Sequence, residues 1–251
     1  MSLPHYYSTL RPFRAAFRSG HPVLTYHHVG PRPSGARIKG LYVSPKLFAQ
    51  QTSELRAAGF SSAALAAIRS APSDSNSRFF VTFDDGFRDV WEHALPVLKL
   101  QRCSGTIFLV SELLGKTNEW QQRAGDVTMP LMDAAQVRDW LAAGQEIGSH
   151  TQTHPRLTQL PASKAQEEIV ASKRSLEDRF GVAIEHFCYP YGDWNETVRD
   201  LVIAAGYKTA CTTTTGVNTA GTSAFELMRF TARYPSRNLK AIWSRLWASP
   251  G

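Results

Sequence analysis

Residues 78–86 read Arg-Phe-Phe-Val-Thr-Phe-Asp-Asp-Gly, and the reading of this stretch decides the fold. The run from Phe79 to Phe83 is aromatic or β-branched throughout, the mark of a strand buried on both faces, and such strands belong to parallel sheets flanked by helices. Asp84 and Asp85 stand where that strand should stop. Successive side chains on a strand point to opposite faces. The two carboxylates can therefore reach one cavity only if the backbone turns, and Gly86 is the residue that allows it. A bound cation would remove the repulsion between adjacent anions by neutralising one of them.

Further along, Ile147-Gly148-Ser149 leads into His150, and His154 follows four residues later, with Pro155 disfavouring a regular helix through the pair. One carboxylate and two imidazoles make three protein ligands, and three ligands plus an open position is the composition of a catalytic rather than a structural zinc site. Asp85, His150 and His154 are thus expected to hold a metal. A fourth position is left for a water whose pKa is lowered towards ~7. Asp84 is left over for proton transfer.

Around these islands, apolar runs alternate with amphipathic segments, the pattern of an α/β fold with a parallel sheet or barrel. Strands are expected at 22–26, 78–83, 105–110 and 146–148, and near 185–189, 207–211 and 227–231. Ser44 with Pro45 opens a helix that stops at Gly59. A second helix is expected over about 88–100. Asp133 with Gln136 and Ser163 with Gln166 form two capping boxes, the latter opening a helix that ends at Gly181. Two more helices follow, from about 195 to 205 and from 237 to 248, while 113–132 reads as a loop or lid. Seven strands interleaved with helices predict an irregular (β/α) barrel of about seven parallel strands. Residues 1–251 read as one domain, with the motifs confined to about 21–235. In such barrels chemistry sits at the C-terminal ends of strands, which is where the Asp pair, the His pair and Tyr189-Pro190-Tyr191 fall.

Composition narrows the partners. Of the 251 residues, 43% are hydrophobic and 20% charged, enough to bury a full core. Lys and Arg exceed Asp and Glu by seven. The locally basic stretches, Arg11–Arg18 and Arg32–Lys39, lack the length and aromatic content of a nucleic-acid module, so no nucleic-acid partner is expected. Cys103, Cys188 and Cys211 are odd in number and widely spaced, which gives neither a disulfide framework nor a metal knuckle. The N-terminus has no apolar signal region, and no stretch is long enough to span a membrane. A cytoplasmic location, or one at the inner membrane face, is the expectation. The oligomeric state is not set by these features.

Thr82-Phe83-Asp84-Asp85-Gly86, His150-Thr151-x-x-His154-Pro155 and Phe187-x-Tyr189-Pro190-Tyr191-Gly192 together resemble the first three motifs of the NodB-type polysaccharide deacetylases, carbohydrate esterase family 4. The resemblance runs from about His21 to Pro235. It implies an irregular (β/α) barrel, one divalent ion (zinc first, cobalt or nickel as alternatives), a carbohydrate substrate, and removal of N-acetyl or O-acetyl groups. By the same resemblance Asp84 would be the general base and Asp85, His150 and His154 the ligands. The backbone N–H of Tyr191, in the motif that holds Pro190, would help to stabilise the oxyanion.

Two departures stand out. Cys188 replaces an Arg that in the family holds the catalytic Asp, and the late Leu-x-His motif that supplies an acid is missing, since no His follows His186. Val23-Leu24-Thr25-Tyr26-His27-His28 resembles the opening strand of the branch acting on poly-N-acetylglucosamine, which makes His27 the expected acid, with His28 second. Arg229, in Leu227-Met228-Arg229-Phe230, is expected to take over from the missing Arg and reach Asp84. Cys188 itself reads as packing. Trp120, Trp194 and Tyr191 are candidates for an apolar floor under a sugar, Tyr191 foremost, and the basic residues of 31–39 for contact with an anionic or lipid-phosphate-linked glycan.

The expected function is metal-dependent hydrolysis of N-acetyl groups on a glycan containing N-acetylglucosamine, or on a precursor of one. Two alternatives use the same scaffold: an amidohydrolase on a non-acetyl or non-sugar amide, and a non-catalytic glycan-binding module.

Overall fold

The structure, a computed structural model, describes residues 3–69, 77–123 and 125–234. In chain order its strands are β1 (Tyr6–Tyr7), β2 (Val23–Tyr26), β3 (His28–Val29), β4 (Tyr42–Val43), β5 (Ser61–Ser62) and β6 (Arg78–Phe83). They continue with β7 (Thr106–Leu109), β8 (Glu146–Ser149), β9 (His186–Cys188), β10 (Thr209–Cys211) and β11 (Phe230–Ala232). The α-helices are α1 (Arg14–Arg18), α2 (Pro45–Ala57), α3 (Leu95–Gln101), α4 (Glu119–Arg123), α5 (Ala134–Ala142), α6 (Ala162–Phe180) and α7 (Glu196–Ala204).

Parallel pairing runs β11-β2-β6-β7-β8-β9-β10, with β1 beyond β11 and β5 against the start of β6. The seven strands of that path are the seven anticipated from the sequence. Their ends are drawn together: Leu227 N donates to Ala210 O at 2.9 Å and Thr212 N to Leu227 O at 2.9 Å, so the approach to β11 lies along β10 and the sheet curls round. β3 and β4 form a separate two-stranded sheet.

Both faces of the sheet are buried, as a parallel sheet requires. Val23, Phe80, Phe108, Cys188, Cys211 and Leu227 pack together on the inner face. Leu24, Val81, Phe83, Ile107, Ile147 and Phe187 face outward, where Phe48 and Leu55 of α2, Trp140 of α5, Ile169 and Leu176 of α6 and Val198 of α7 cover them. Gly148 in β8 is required by this packing. A Cβ there would lie 2.6 Å from the Phe108 ring and 2.8 Å from the His186 carbonyl oxygen.

Several helix boundaries follow the local chemistry. Ser44 Oγ caps α2 by accepting from Leu47 N at 3.2 Å, with Pro45 in the first turn. Asp133 and Gln136 form the reciprocal capping box that opens α5. The second box is not formed. α6 begins at Ala162 behind Pro161, whose carbonyl accepts from Lys164 and Ala165, so Ser163 already lies inside the helix.

The helix expected over 88–100 is divided, opening as a π-helical turn at Val90–Ala94 before α3. Pro96 explains this, because it lacks an N–H and its ring crowds the preceding turn. The 113–132 segment is more ordered than a bare loop. It holds α4 and is tied by bridges at Thr117–Pro130 and Phe87–Leu131. The helix expected from 237 to 248 lies outside the described residues. No described helix is long and apolar enough to cross a membrane.

Candidate active site

Asp84, Asp85, His150 and His154 all follow the C-terminal ends of β6 and β8, and Pro190 and Tyr191 follow β9. Asp85 itself takes a left-handed conformation (φ 73°) before Gly86 (φ 78°), so the turn that brings both carboxylates to one side is shared between them rather than left to the glycine. Thr151 (φ 69°), His154 (φ 65°) and Tyr191 (φ 60°) are left-handed too. For non-glycine residues this costs about 1–3 kcal/mol each and survives only where surrounding contacts impose it. Four of the five such residues described gather at this rim, and the fifth, Arg102, ends α3.

Asp84 is held by Arg229. Nη1 donates to Oδ1 at 2.7 Å and Nη2 to Oδ2 at 2.8 Å, a two-pronged pairing with both groups buried. The remaining donors of the guanidinium are also used: Nε reaches Thr212 O at 2.8 Å, Nη1 reaches Thr82 Oγ1 at 3.2 Å, and Nη2 reaches Cys188 Sγ at 3.2 Å. All five N–H groups of Arg229 thus have partners. Burial pushes the Asp84 carboxyl up. The charge and hydrogen bonds of Arg229 outweigh this, with His27 and His150 adding, and the net effect keeps it below the usual carboxylate range.

Cys188 stands where a bulkier side chain would collide with that guanidinium. Its thiol is raised, first by burial, and stays a neutral acceptor. Asp84, His150 and Cys188 do lie close enough to resemble a ligand set. With its thiol neutral and accepting from Nη2, Cys188 has no thiolate to offer such a set.

Asp85, His150 and His154 fit a cation. Asp85 Oδ1 lies 3.3 Å from Nε2 of each imidazole. Tetrahedral coordination with bonds of about 2.0–2.1 Å has ligand–ligand edges of about 3.3–3.4 Å, so the spacing is that of ligands sharing an ion. His150 Nδ1 lies 2.7 Å from the Cys188 carbonyl, which accepts its proton and leaves Nε2 as the lone-pair end facing Asp85. Among the described residues, none is a hydrogen-bond partner of His154 Nδ1. Its ring is fixed instead by stacking on Trp120 (centroids 4.2 Å apart, 18° between planes) and by edge contacts with His150 and Tyr191.

His27 lies on the rim with Nε2 3.9 Å from Asp84 Oδ2 and its side chain partly exposed. Desolvation lowers its pKa, against the opposing pull of Asp84 and Asp85. His28, the second candidate acid, is turned away. It is fully buried, with Nδ1 2.8 Å from Asp89 Oδ2 and its ring between Tyr42 and Phe87. Alternation along an extended chain sends the two neighbours to opposite sides. Of the three aromatic candidates, Tyr191 is exposed beside His154, under the Arg156 guanidinium at 4.3 Å from its ring. Trp194 packs on Tyr189 and the core. Trp120 backs His154, a role that no periodicity in 113–132 disclosed. Thr82 as a support for Arg229 was legible in the strand's alternation once Arg229 was placed, since it shares the inner face with Phe80.

Comparison with known proteins bears on the family and the fold. Residues 72–210, more than half of the chain, match the family model for polysaccharide deacetylase. The Bacillus subtilis protein YxkH is 28% identical over 149 residues, covering 59% of this chain and 49% of that protein. A chitooligosaccharide deacetylase of Bradyrhizobium sp. (strain ANU 289) is 26% identical over 129 residues, covering 51% and 52%. The chain therefore spans about half the length of these curated relatives. In fold it is similar to the Streptococcus pyogenes deacetylase PplD, solved with acetate, at a TM-score of 0.75 and 22% identity over 92% of this chain and 99% of that one. With the family model covering both the Asp84-Asp85 turn and the His150–His154 loop, the chain belongs to the polysaccharide deacetylase family.

Proposed function

We propose that this protein is a metal-dependent N-deacetylase of glycans containing N-acetylglucosamine or of their precursors, with zinc as its ion. The observation that carries the proposal is the pairing, within one rim, of a ligand set spaced for a cation with a neighbouring carboxylate kept ionised by Arg229. The activity named for the Bradyrhizobium relative supports the substrate class.

Asp85, His150 and His154 would hold the ion, which when bound supplies Lewis-acid polarisation of an acyl oxygen and acidification of water. Asp84 accepts the proton of the attacking water, and Arg229 keeps both of its oxygens aimed and its charge in place. The backbone N–H of Tyr191 is assigned to the oxyanion, with Pro190 fixing the start of that turn. Collapse of the tetrahedral species needs an acid for the departing amine. His27, entering the step as the imidazolium, is assigned that role on its geometry, since it stands on the rim with Nε2 3.9 Å from Asp84 Oδ2. Arg229 at Asp84 favours this reading over a glycan-binding module that has lost its chemistry, for a scaffold without turnover has no need of a fully satisfied guanidinium on that carboxylate.

The test is release of acetate from N-acetylated chito-oligosaccharides by the zinc-loaded protein, beside a panel of small amides. Asp84→Asn and His27→Ala should each lower kcat by about 10²–10⁴ with zinc content unchanged. Background rates shared by the wild type and both variants would rule the assignment out, and hydrolysis confined to non-sugar amides would move the substrate class.

A further inference from the structure

Between the two imidazoles lie Thr151, Gln152 and Thr153, and the loop they form is strained at Thr151 and His154. Every N–H of residues 151–154 has an acceptor. Thr151 N donates to Ser149 Oγ at 3.3 Å, and His154 N donates to Thr151 Oγ1 at 3.0 Å, both within the loop's own segment. The other two go to one side chain from elsewhere. Glu168 Oε2 accepts from Gln152 N at 2.9 Å and from Thr153 N at 3.0 Å, while Oε1 accepts from Thr153 Oγ1 at 2.6 Å. On the carbonyl side, Ser111 N and Glu112 N donate to Thr151 O and Gln152 O, both at 3.1 Å. The loop is gripped along both edges, and Glu168 is the only charged group in the grip.

Glu168 is well mounted for this. It is half-buried on α6, the longest described helix, and the next residue, Ile169, is fully buried in the layer that covers the sheet. The carboxylate therefore moves with the core, not with the loop. A left-handed threonine and a left-handed histidine relax toward ordinary conformations once their neighbours' N–H groups are released. Either relaxation would swing one imidazole away from Asp85.

We propose that Glu168 is a positioning residue for the metal site: it fixes the spacing of His150 and His154 through the backbone between them, and so sets the affinity for the ion. This rests on the reading of Asp85, His150 and His154 as ligands. It assigns a role to a residue that touches neither ion nor substrate and that lies in none of the motifs read from the sequence.

The test is zinc affinity of the full chain, measured by competition with a chromophoric chelator after metal removal, with melting of the metal-free protein recorded alongside. Glu168→Ala should weaken zinc binding by about 10-fold or more and speed its release to excess chelator. Glu168→Gln should keep most of the affinity, because the amide oxygen can take both N–H groups while its NH2 donates to Thr153 Oγ1. Thr153→Val removes one of the three bonds at an exposed residue and leaves α6 untouched, so it carries the test should Glu168→Ala fold poorly, and its affinity should fall by a smaller factor. Zinc affinity unchanged in both Glu168→Ala and Thr153→Val, or a loss in Glu168→Gln as large as in Glu168→Ala, would overturn the clamp. His154→Ala measured beside them separates the premise: a wild type that holds zinc no better than His154→Ala would overturn the metal site itself.

Discussion

Arg229 shows what one residue does when it changes place. In the resemblance the guanidinium belongs to the motif at β9, and here it comes from the approach to β11, with Cys188 leaving the room. Its identity as the partner of Asp84 was legible because the missing Arg demanded a substitute and Arg229 stood in the last strand read from the sequence. Its full set of partners was not, since Thr212 carries no signal of its own. Removing one member of a buried ion pair strands the other, at about 3–5 kcal/mol. Arg229→Ala should therefore lower stability by that amount in urea titration, and misplacement of Asp84, the proposed base, should cost activity roughly 10²-fold or more. Because Arg229 depresses the Asp84 carboxyl, its loss raises that pKa, and the acid limb of kcat/KM against pH should move upward. Arg229→Lys keeps the charge but not the two-pronged geometry. It should restore stability better than it restores rate.

Among the elements, the seven ring strands and the α2 and α5 caps were readable because their signals are local: an apolar run of the right length, or an oxygen two to three residues before a free N–H. The α6 start was misread because Ser163 and Gln166 have the spacing of a box, whereas Pro161, fixed in φ, had already begun the turn. β1, β3, β4 and β5 are two residues each, too short for any periodicity to show. The contrast between the two boxes can be measured. Asp133→Ala should cost about 1 kcal/mol, the worth of a helix cap, or roughly 2–4 °C in melting temperature for a chain of this size. Ser163→Ala should stay within about 0.5 kcal/mol, as surface changes do. Equal losses in the two variants would mean that Ser163 caps α6 after all.

For the molecule as a whole, His21, His27 and His186 are each held below the ordinary imidazole pKa, chiefly by desolvation. A folded-state pKa lowered in this way means that the unfolded chain binds more protons below about pH 6.5. The stabilisation is complete above that pH and is lost as pH falls through the lower folded values. The urea midpoint should accordingly drop between pH 7.5 and pH 5, with a shallower slope in His186→Asn, which removes the imidazole that binds Thr209 Oγ1 across β9 and β10. Because His150 is shifted the other way, against desolvation, by its carboxylate and carbonyl neighbours, the deciding comparison is between the two proteins: equal slopes in wild type and His186→Asn would contradict the burial of the His186 ring. The curling of the sheet through Leu227 has a consequence for biosynthesis. Synthesis proceeds from the N-terminus, so Asp84, Asp85, His150 and His154 have all left the ribosome before Arg229. A nascent chain could assemble the three proposed cation ligands early, yet Asp84, the proposed base, would lack its counter-ion until β11 docks, so that the proposed chemistry waits for translation to pass residue 229.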